Sequence, residues 1–232
     1  MRGDAYSFNS AVGVYTAIMD RKSRGSLKSS AFPLLSQPDG LDFGYRSMSS
    51  VAPVHTAVPG VLHRALQAAT RSDHVALDRS ILRLNWSSAA GYGIFLHMHN
   101  AALQSLEADW RDEDRGDFAA MLRCAREDLK ALKIPIPISH LASRTPLPAG
   151  QRLGIAYVLR GSRLDAGVLR LRVPSSRPSS FLDFAPTLPW PRFLQQLDPP
   201  ESAGRAAGAE TLRGARHTFD LFANLIARAV AR

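Results

Sequence analysis

Residues 154–173 read GIAYVLRGSRLDAGVLRLRV, and this stretch predicts one long helix with Gly161 and Gly167 in its interior. A glycine inside a helix costs about 1 kcal/mol relative to alanine. A chain usually tolerates that cost where its backbone must approach another group closely. The stretch therefore indicates a helix whose glycine-bearing surface lies against something, and the rest of the chain has to show what that is.

A second stretch, residues 66–78 with the sequence LQAATRSDHVALD, places His74 on another predicted helix. Arg71 precedes His74 by one helical turn, so both side chains lie on the same face. A histidine facing a glycine-rich helix suggests a flat ligand between the two, and the arginine could pair with a carboxylate of that ligand. A histidine considered alone is more often structural than a ligand, and the residues leave both interpretations open.

The composition narrows the class of protein. The chain has 232 residues, 45% of them apolar, which is enough for a real core. Cys124 is the single cysteine, so neither an intramolecular disulfide nor a multi-cysteine metal site can form, and a cytoplasmic location is expected. The net charge of +9 comes mostly from arginine, without a basic block that contains aromatics, so nucleic acid is not expected as a partner. No apolar run approaches the ~20 residues of a membrane span.

The first part of the chain differs from the remainder. Residues 1–58 mix glycine, serine and proline without a sustained helical or strand period, which predicts an irregular or disordered N-terminal extension. Met48 stands shortly before the first clear helix and is a possible true start. Residues 59–232 are predicted to form the folded domain.

Helical periodicity dominates that domain and predicts an all-α bundle of six to eight helices. Ser87 or Ser88 is expected to cap one helix, and His99 falls on its buried face, where a hydrogen-bonded core histidine is the simplest interpretation. Residues 134–148 and 174–191 are rich in proline and are expected to be irregular connections. The apolar stripe of the capped helix comprises Tyr92, Phe95, Leu96, His99, Leu103, Leu106 and Trp110.

Four collinear blocks resemble the bacterial biliverdin-producing heme oxygenases. They are LQAATRSDHVALD at 66–78, GYGIFLHMHNAAL at 91–103, IAYVLRGSRLDAGVLRLRV at 155–173 and GARHTFDLFANL at 214–225. The resemblance covers about residues 60–228. It implies a heme oxygenase-like multi-helical bundle in which heme is both substrate and cofactor.

The resemblance also implies roles for particular residues. His74 would be the axial ligand of the heme iron, and Arg71 and Arg192 would pair with the propionates. The block with Gly161 and Ser162 would be the distal helix, where a close backbone leaves room for O₂ and Ser162 helps to order water. The implied reaction opens heme to biliverdin, Fe²⁺ and CO, with electrons from a ferredoxin or a reductase. The biliverdin could supply a bacteriophytochrome, or the cell could need the iron.

One departure from the family concerns the distal helix, which typically reads GSxLGG and here reads GSRLDAG. Asp165 and Ala166 occupy the two glycine positions, and Gly167 follows. Asp165 could crowd O₂, ligate iron or hold a water network that delivers protons. Alternatively, a shift by one residue lets Gly167 restore the clearance. We expect Asp165 to be held off the iron by Arg160, by Arg163 or by ordered water.

Two other functions compete with the enzyme. A heme-binding or heme-sensing protein of the same fold would have lost turnover because of Asp165. A helical scaffold without a cofactor would use His74 only structurally.

Overall fold

The computed structural model describes residues 60–136, 145–197 and 205–231. They belong to one unit of the chain, Thr56–Arg232. The expected N-terminal extension, residues 1–58 with Met48, lies outside the described residues. The central part of the first proline-rich connection, residues 137–144, lies outside them as well.

Within the described ranges the structure contains nine α-helices, one 3₁₀ helix and no strand, which confirms the all-α class. The number of helices exceeds the predicted six to eight because short helices occupy segments that were expected to be continuous or irregular. The α-helices are α1 (Val61–Ala69), α2 (Arg71–Leu82), α3 (Ala89–Ser105), α4 (Asp112–Ala131), α5 (Ala149–Gly161), α6 (Ala166–Arg170), α7 (Ser180–Asp183), α8 (Trp190–Leu197) and α9 (Arg205–Val230), and the 3₁₀ helix is Glu107–Asp109.

Helix α3 runs through the core and begins as its sequence predicts. The hydroxyl of Ser88 accepts a hydrogen bond from the backbone N–H of Gly91 at 2.9 Å, which satisfies one of the free donors at the start of the helix. The whole predicted stripe from Tyr92 to Trp110 is buried. Trp110 is nevertheless not on α3, because the helix ends at Ser105 and the 3₁₀ helix intervenes.

The close helix contact that glycine permits is between α5 and α9. A Cβ on Gly154 would lie 2.6 Å from the backbone nitrogen of Ala215, and a Cβ on Gly214 would lie 2.7 Å from Cα of Gln151. No real side chain tolerates such distances without movement of the backbone. Helix α9 also packs against α1, α2 and α3, so this long helix organises the bundle.

The prediction of one continuous helix over residues 154–173 is wrong. Helix α5 ends at Gly161, a turn follows, and α6 begins at Ala166. The N–H of Leu164 donates to the carbonyl of Gly161 at 3.0 Å. This hydrogen bond spans three residues, as in a 3₁₀ helix, whereas those of an α-helix span four. The hydroxyl of Ser162 donates to the carbonyl of Leu159 at 2.8 Å and so satisfies a free acceptor at the end of α5. We call residues 161–165 the helix break.

The second proline-rich connection is also more regular than expected, since α7 lies within it and α8 begins at Trp190. Buried Asp128 on α4 fixes α7 in place. Its carboxylate accepts the N–H groups of Ser180 and Phe181, both at 2.9 Å, and the hydroxyl of Tyr92 at 3.0 Å. Three donors on one carboxylate thus join α3, α4 and α7, and the start of α7 needs no cap of its own.

Candidate functional site

Helix α2 and the helix break bring three potential ligand residues together. One ligand atom from each of His74, Asp78 and Asp165 can be chosen so that all three lie within 4.8 Å of one another. All three residues are half-buried. The sequence suggested that His74 faces the glycine-bearing segment, and the structure places Asp165 of that segment opposite it. The role of His74 as a metal ligand stays a prediction.

The ring of His74 is held by its neighbours on two helices. Its Nδ1 lies 3.0 Å from Oδ2 of Asp78, one turn later on α2, and its ring meets that of Phe219 edge-on at 5.8 Å. The hydrogen bond from His74 to Asp78 raises the pKa of the imidazole above its ordinary value, although burial opposes this. The imidazole keeps 44% of its side-chain surface exposed. The hydrogen bond at Nδ1 therefore orients the imidazole, while part of the ring remains accessible to solvent.

Asp78 is not among the site residues that the sequence predicts, although a signal for it is present. A carboxylate four residues after a histidine on a helix lies on the same face and can bond the ring. Arg71, one turn before His74, is among the predicted site residues, whereas Asp78, one turn after it, is not. Arg71 is the first residue of α2 and its side chain is exposed.

Asp165 does not have the arginine partner that was expected. Its pKa is raised, first by burial and then by the negative charge of Asp78. Arg160 instead donates to Asp114 at 2.7 Å and to Asp117 at 2.9 Å, in the core. The expectation of an ion pair with either arginine is therefore wrong, and Asp165 faces His74 and Asp78.

Arg163 is directed to α7 rather than to Asp165. Its guanidinium donates to the carbonyls of Phe181 at 2.8 Å and Leu182 at 3.1 Å, and it lies 4.8 Å from the centre of the Phe181 ring. Burial lowers the pKa of Arg163 to about 10. Arg160 thus fixes the end of α5 in the core and Arg163 fixes the helix break against α7, while Asp165 lies beside His74 and Asp78 of α2.

The protein itself does not need glycine at two positions of the proposed distal segment. A Cβ on Gly161 would make an ordinary contact with the Trp190 ring at 3.7 Å, and a Cβ on Gly167 would meet nothing within 4 Å. Packing among the described residues explains why residue 154 is glycine, but it does not explain the glycines at 161 and 167. Their proposed service to a ligand stays a prediction.

The remaining predicted site residues are distributed around the break. Ala166 is buried at the start of α6, and Gly167 beside it is exposed. Ser162 is half-buried, and its hydroxyl proton is used within α5. Arg192 lies on α8, which packs against α1 and α5, and its side chain is exposed. Their proposed roles in heme binding stay predictions.

His99 is a hydrogen-bonded core histidine, as its position on the buried face of α3 predicted. Its Nδ1 lies 3.0 Å from the carbonyl oxygen of Phe95, and its ring packs between Phe181 at 4.8 Å and Phe222 at 5.1 Å. Burial lowers the pKa of His99 to about 3. The ring is therefore neutral at physiological pH and donates from Nδ1 to the carbonyl.

No helix in the described ranges combines the length and the apolar character that crossing a membrane requires.

Comparison with known proteins identifies the fold. No model of a protein family and no curated protein sequence matches the chain. Among solved structures, the chain is similar to the heme oxygenase from Neisseria meningitidis, crystallised with NO and CO bound. The two share 21% sequence identity with a TM-score of 0.58, over 72% of this chain and 91% of that one. The heme oxygenase-like all-α fold expected from the sequence is thereby confirmed.

Proposed function

We propose that this protein binds heme and opens it oxidatively to biliverdin, Fe²⁺ and CO, using O₂ and electrons from a separate donor. One observation carries the proposal. Within a heme oxygenase-like fold, His74 on α2 faces the helix break that begins at Gly161, with a ligand atom within 4.8 Å of one on Asp165. A histidine opposite a glycine-bearing break is the arrangement that holding a flat ligand between two helices requires.

The side chains around His74 fit the ligation of heme iron. Asp78 holds Nδ1, and Nε2 has no hydrogen-bond partner among the described residues, so a neutral imidazole would offer Nε2 to the metal. Helix α2 contributes no fully buried residue, whereas α3, α4 and α5 each contribute several. The surface of α2 is therefore less occupied by protein and suits a ligand. A porphyrin can enter only if Asp165 moves away from His74.

The proposed roles of the chain's own residues follow from where they lie. Asp78 orients His74 and increases the electron-donating strength of its ring. Asp165, on the opposite side, would hold or pass a proton at its carboxylate. Exposed Arg71 and Arg192 would pair with the two propionates. Heme, once bound, supplies both the iron that activates O₂ and the ring that is opened.

The helix break has a further proposed role in admitting the ligand. Because Gly161 and Gly167 are not required by packing, the absence of their side chains would serve the close approach of heme and O₂. Ser162 lies directly after Gly161 and, although it donates to Leu159, its oxygen can still accept a hydrogen bond from water. Ala166 would line the same surface.

A heme-binding or heme-sensing protein without turnover is the second candidate. The observation that favours it is the carboxylate of Asp165 in front of His74, where the family pattern has glycine. A carboxylate that ligated iron on that side would keep O₂ away. The two candidates share the heme site and differ in whether the bound heme is consumed.

The proposed partners and location belong to the same hypothesis. A ferredoxin or a reductase would supply the electrons that the proposed reaction consumes. Biliverdin would pass to a bacteriophytochrome, or the released iron would be used. The cytoplasm is the proposed location, since a reducing environment suits the free thiol of Cys124.

Titration with heme tests the binding step. The wild type should show a Soret band typical of histidine ligation at one heme per chain. His74→Ala should weaken heme binding by at least about tenfold or lose that spectrum, and added imidazole should restore it in part. His217→Ala removes an exposed histidine on α9 and should leave the spectrum unchanged. Equal heme spectra for all three proteins would refute the assignment of His74.

A further inference from the structure

The cluster of His74, Asp78 and Asp165 has the composition of a site for a metal ion without a porphyrin. It combines one imidazole and two carboxylates from two separate elements, α2 and the helix break. Imidazole nitrogen together with carboxylate oxygen is a donor set that zinc, iron and manganese accept. No heme is needed to assemble it, because the three side chains already lie together.

The charges around the cluster favour a cation. The protein carries a net charge of +9, mostly on arginine, and two of its core carboxylates on α4, Asp114 and Asp117, are paired with Arg160. Among the described residues, neither Asp78 nor Asp165 pairs with an arginine or a lysine, and the pair between Asp78 and His74 is the one ion pair of the cluster. Two half-buried carboxylates thus face each other with a single histidine as their possible counter-charge.

The distances are close to those of a formed site. Ligand bonds of about 2.0–2.2 Å around a tetrahedral zinc ion place the ligand atoms roughly 3.3–3.6 Å apart. The atoms of the cluster lie within 4.8 Å, and one pair, Nδ1 of His74 and Oδ2 of Asp78, lies at 3.0 Å. That pair is a hydrogen bond in the metal-free protein, so an ion bound by both atoms displaces the Nδ1 proton to water, and movement of the three side chains by about 1 Å completes the site. Water would fill the remaining coordination positions, since the cluster is partly exposed.

We propose that His74, Asp78 and Asp165 bind one divalent first-row transition-metal ion in the heme-free protein. The ion stabilises the contact between α2 and the helix break by neutralising the two carboxylates. It uses the same imidazole that the proposed heme site uses, so metal and heme exclude each other. The metal site itself does not depend on heme binding or turnover, and it can be tested without either.

Calorimetric titration of the full-length, chelator-treated protein with Zn²⁺ tests the proposal. One ion per chain should bind at this site, and binding should weaken by at least about tenfold in each of His74→Ala, Asp78→Asn and Asp165→Asn. Asp112→Asn removes a carboxylate on α4 that is 99% exposed, and this variant should bind like the wild type. Mg²⁺, which prefers an oxygen-only octahedral shell, should bind far more weakly than Zn²⁺.

Two controls make the result decisive. Circular dichroism melting of each variant shows whether it is folded, and the wild type should gain thermal stability with Zn²⁺ while Asp165→Asn should not. Zinc affinity that is unchanged in Asp78→Asn and Asp165→Asn would overturn the proposal, as would the absence of zinc binding to the wild type. Heme titration of the same samples is scored separately, so failure of heme binding is not confused with failure of the metal site.

Discussion

Nδ1 of His74 lies 3.0 Å from Oδ2 of Asp78, one helical turn further along α2. This contact leaves Nε2 for iron in the proposed heme site and is replaced by two bonds to the ion in the proposed metal site. It also places a carboxylate behind the imidazole, a position from which a carboxylate increases the basicity of a metal-ligating histidine. The proposed heme site and the proposed metal site both depend on this pair, and they differ in what approaches from the side of Asp165.

Substitution of Asp165 tests the proposed role of its carboxylate. Asp165→Gly should bind heme at least as tightly as the wild type, because heme entry no longer has to move the carboxylate away from His74. The rate of biliverdin formation should fall by about tenfold or more, since general acid–base groups typically contribute about 10²–10⁴-fold. Rapid-mixing absorbance measurements with heme and a reductant give both values. A faster reaction in Asp165→Gly would show that the carboxylate obstructs turnover.

Substitution of Asp128 tests the junction of α3, α4 and α7. Asp128→Ala leaves the N–H groups of Ser180 and Phe181 without their acceptor, and the free energy of unfolding should fall by about 2–4 kcal/mol. Its neighbour Glu127 is exposed, and Glu127→Gln should change stability by less than about 0.5 kcal/mol. Urea denaturation of both variants gives the comparison. A similar small effect for both would show that the carboxylate of Asp128 is not a structural anchor.

Replacement by alanine should have opposite effects on stability at two glycines, one in the contact between α5 and α9 and one on α4. Gly214→Ala should destabilise the protein by about 1–3 kcal/mol, because its Cβ would overlap the backbone at Gln151. Gly116 lies within α4, where an added Cβ would meet nothing within 4 Å, and Gly116→Ala should stabilise by about 0.5–1 kcal/mol. Thermal melting distinguishes them. A destabilised Gly116→Ala or an unaffected Gly214→Ala would contradict the packing described.

The burial of His99 should make the stability of the folded protein depend on pH. Its pKa falls from 6.5 to about 3 on folding because the ring is buried. Between these values the unfolded chain binds one proton more than the native chain. Stability therefore falls as the pH is lowered from 6.5 towards 3, by up to about 1.4 kcal/mol per pH unit from this group. At pH 7 this destabilising contribution is absent.

Urea denaturation of the wild type and of His99→Leu at pH 7 and pH 5 measures that contribution. The variant should lose less stability than the wild type between the two values, although it is less stable at pH 7. His217→Ala, which removes an exposed histidine, should follow the wild type. Equal pH dependence in wild type and His99→Leu would show that His99 is protonated as readily in the folded protein as in the unfolded one.

The sequence predicted the elements that depend on local pattern. The buried stripe of α3, a cap at Ser87 or Ser88 and the core position of His99 follow from spacing alone. Where α5 ends could not be predicted from spacing, because residues 154–173 keep an apolar helical period through the break. What ends the helix is a tight turn after Gly161 that long-range bonds hold, notably those of Arg163 to the carbonyls of α7.

The sequence predicted those parts of the candidate site that depend on local pattern. His74 could be found as a histidine on a helix, and Asp165 as a departure from a family pattern. Their juxtaposition depends on α2 packing against α9 and on the direction in which the break turns, which are tertiary properties. The expected arginine partners of Asp165 were wrong because Asp114 and Asp117, far earlier in the chain, pair with Arg160, and Arg163 bonds to α7.

A single-turnover reaction tests the central claim most directly. The full-length protein is loaded with one equivalent of heme, placed under O₂ and given a reductant, and the absorbance spectrum is followed alongside that of His74→Ala. The account predicts that the Soret band of the wild type decays as biliverdin absorbance rises, with CO and Fe²⁺ released, and that His74→Ala yields little biliverdin. A stable heme spectrum in the wild type under these conditions, with biliverdin appearing in Asp165→Gly, would contradict it and identify a heme sensor.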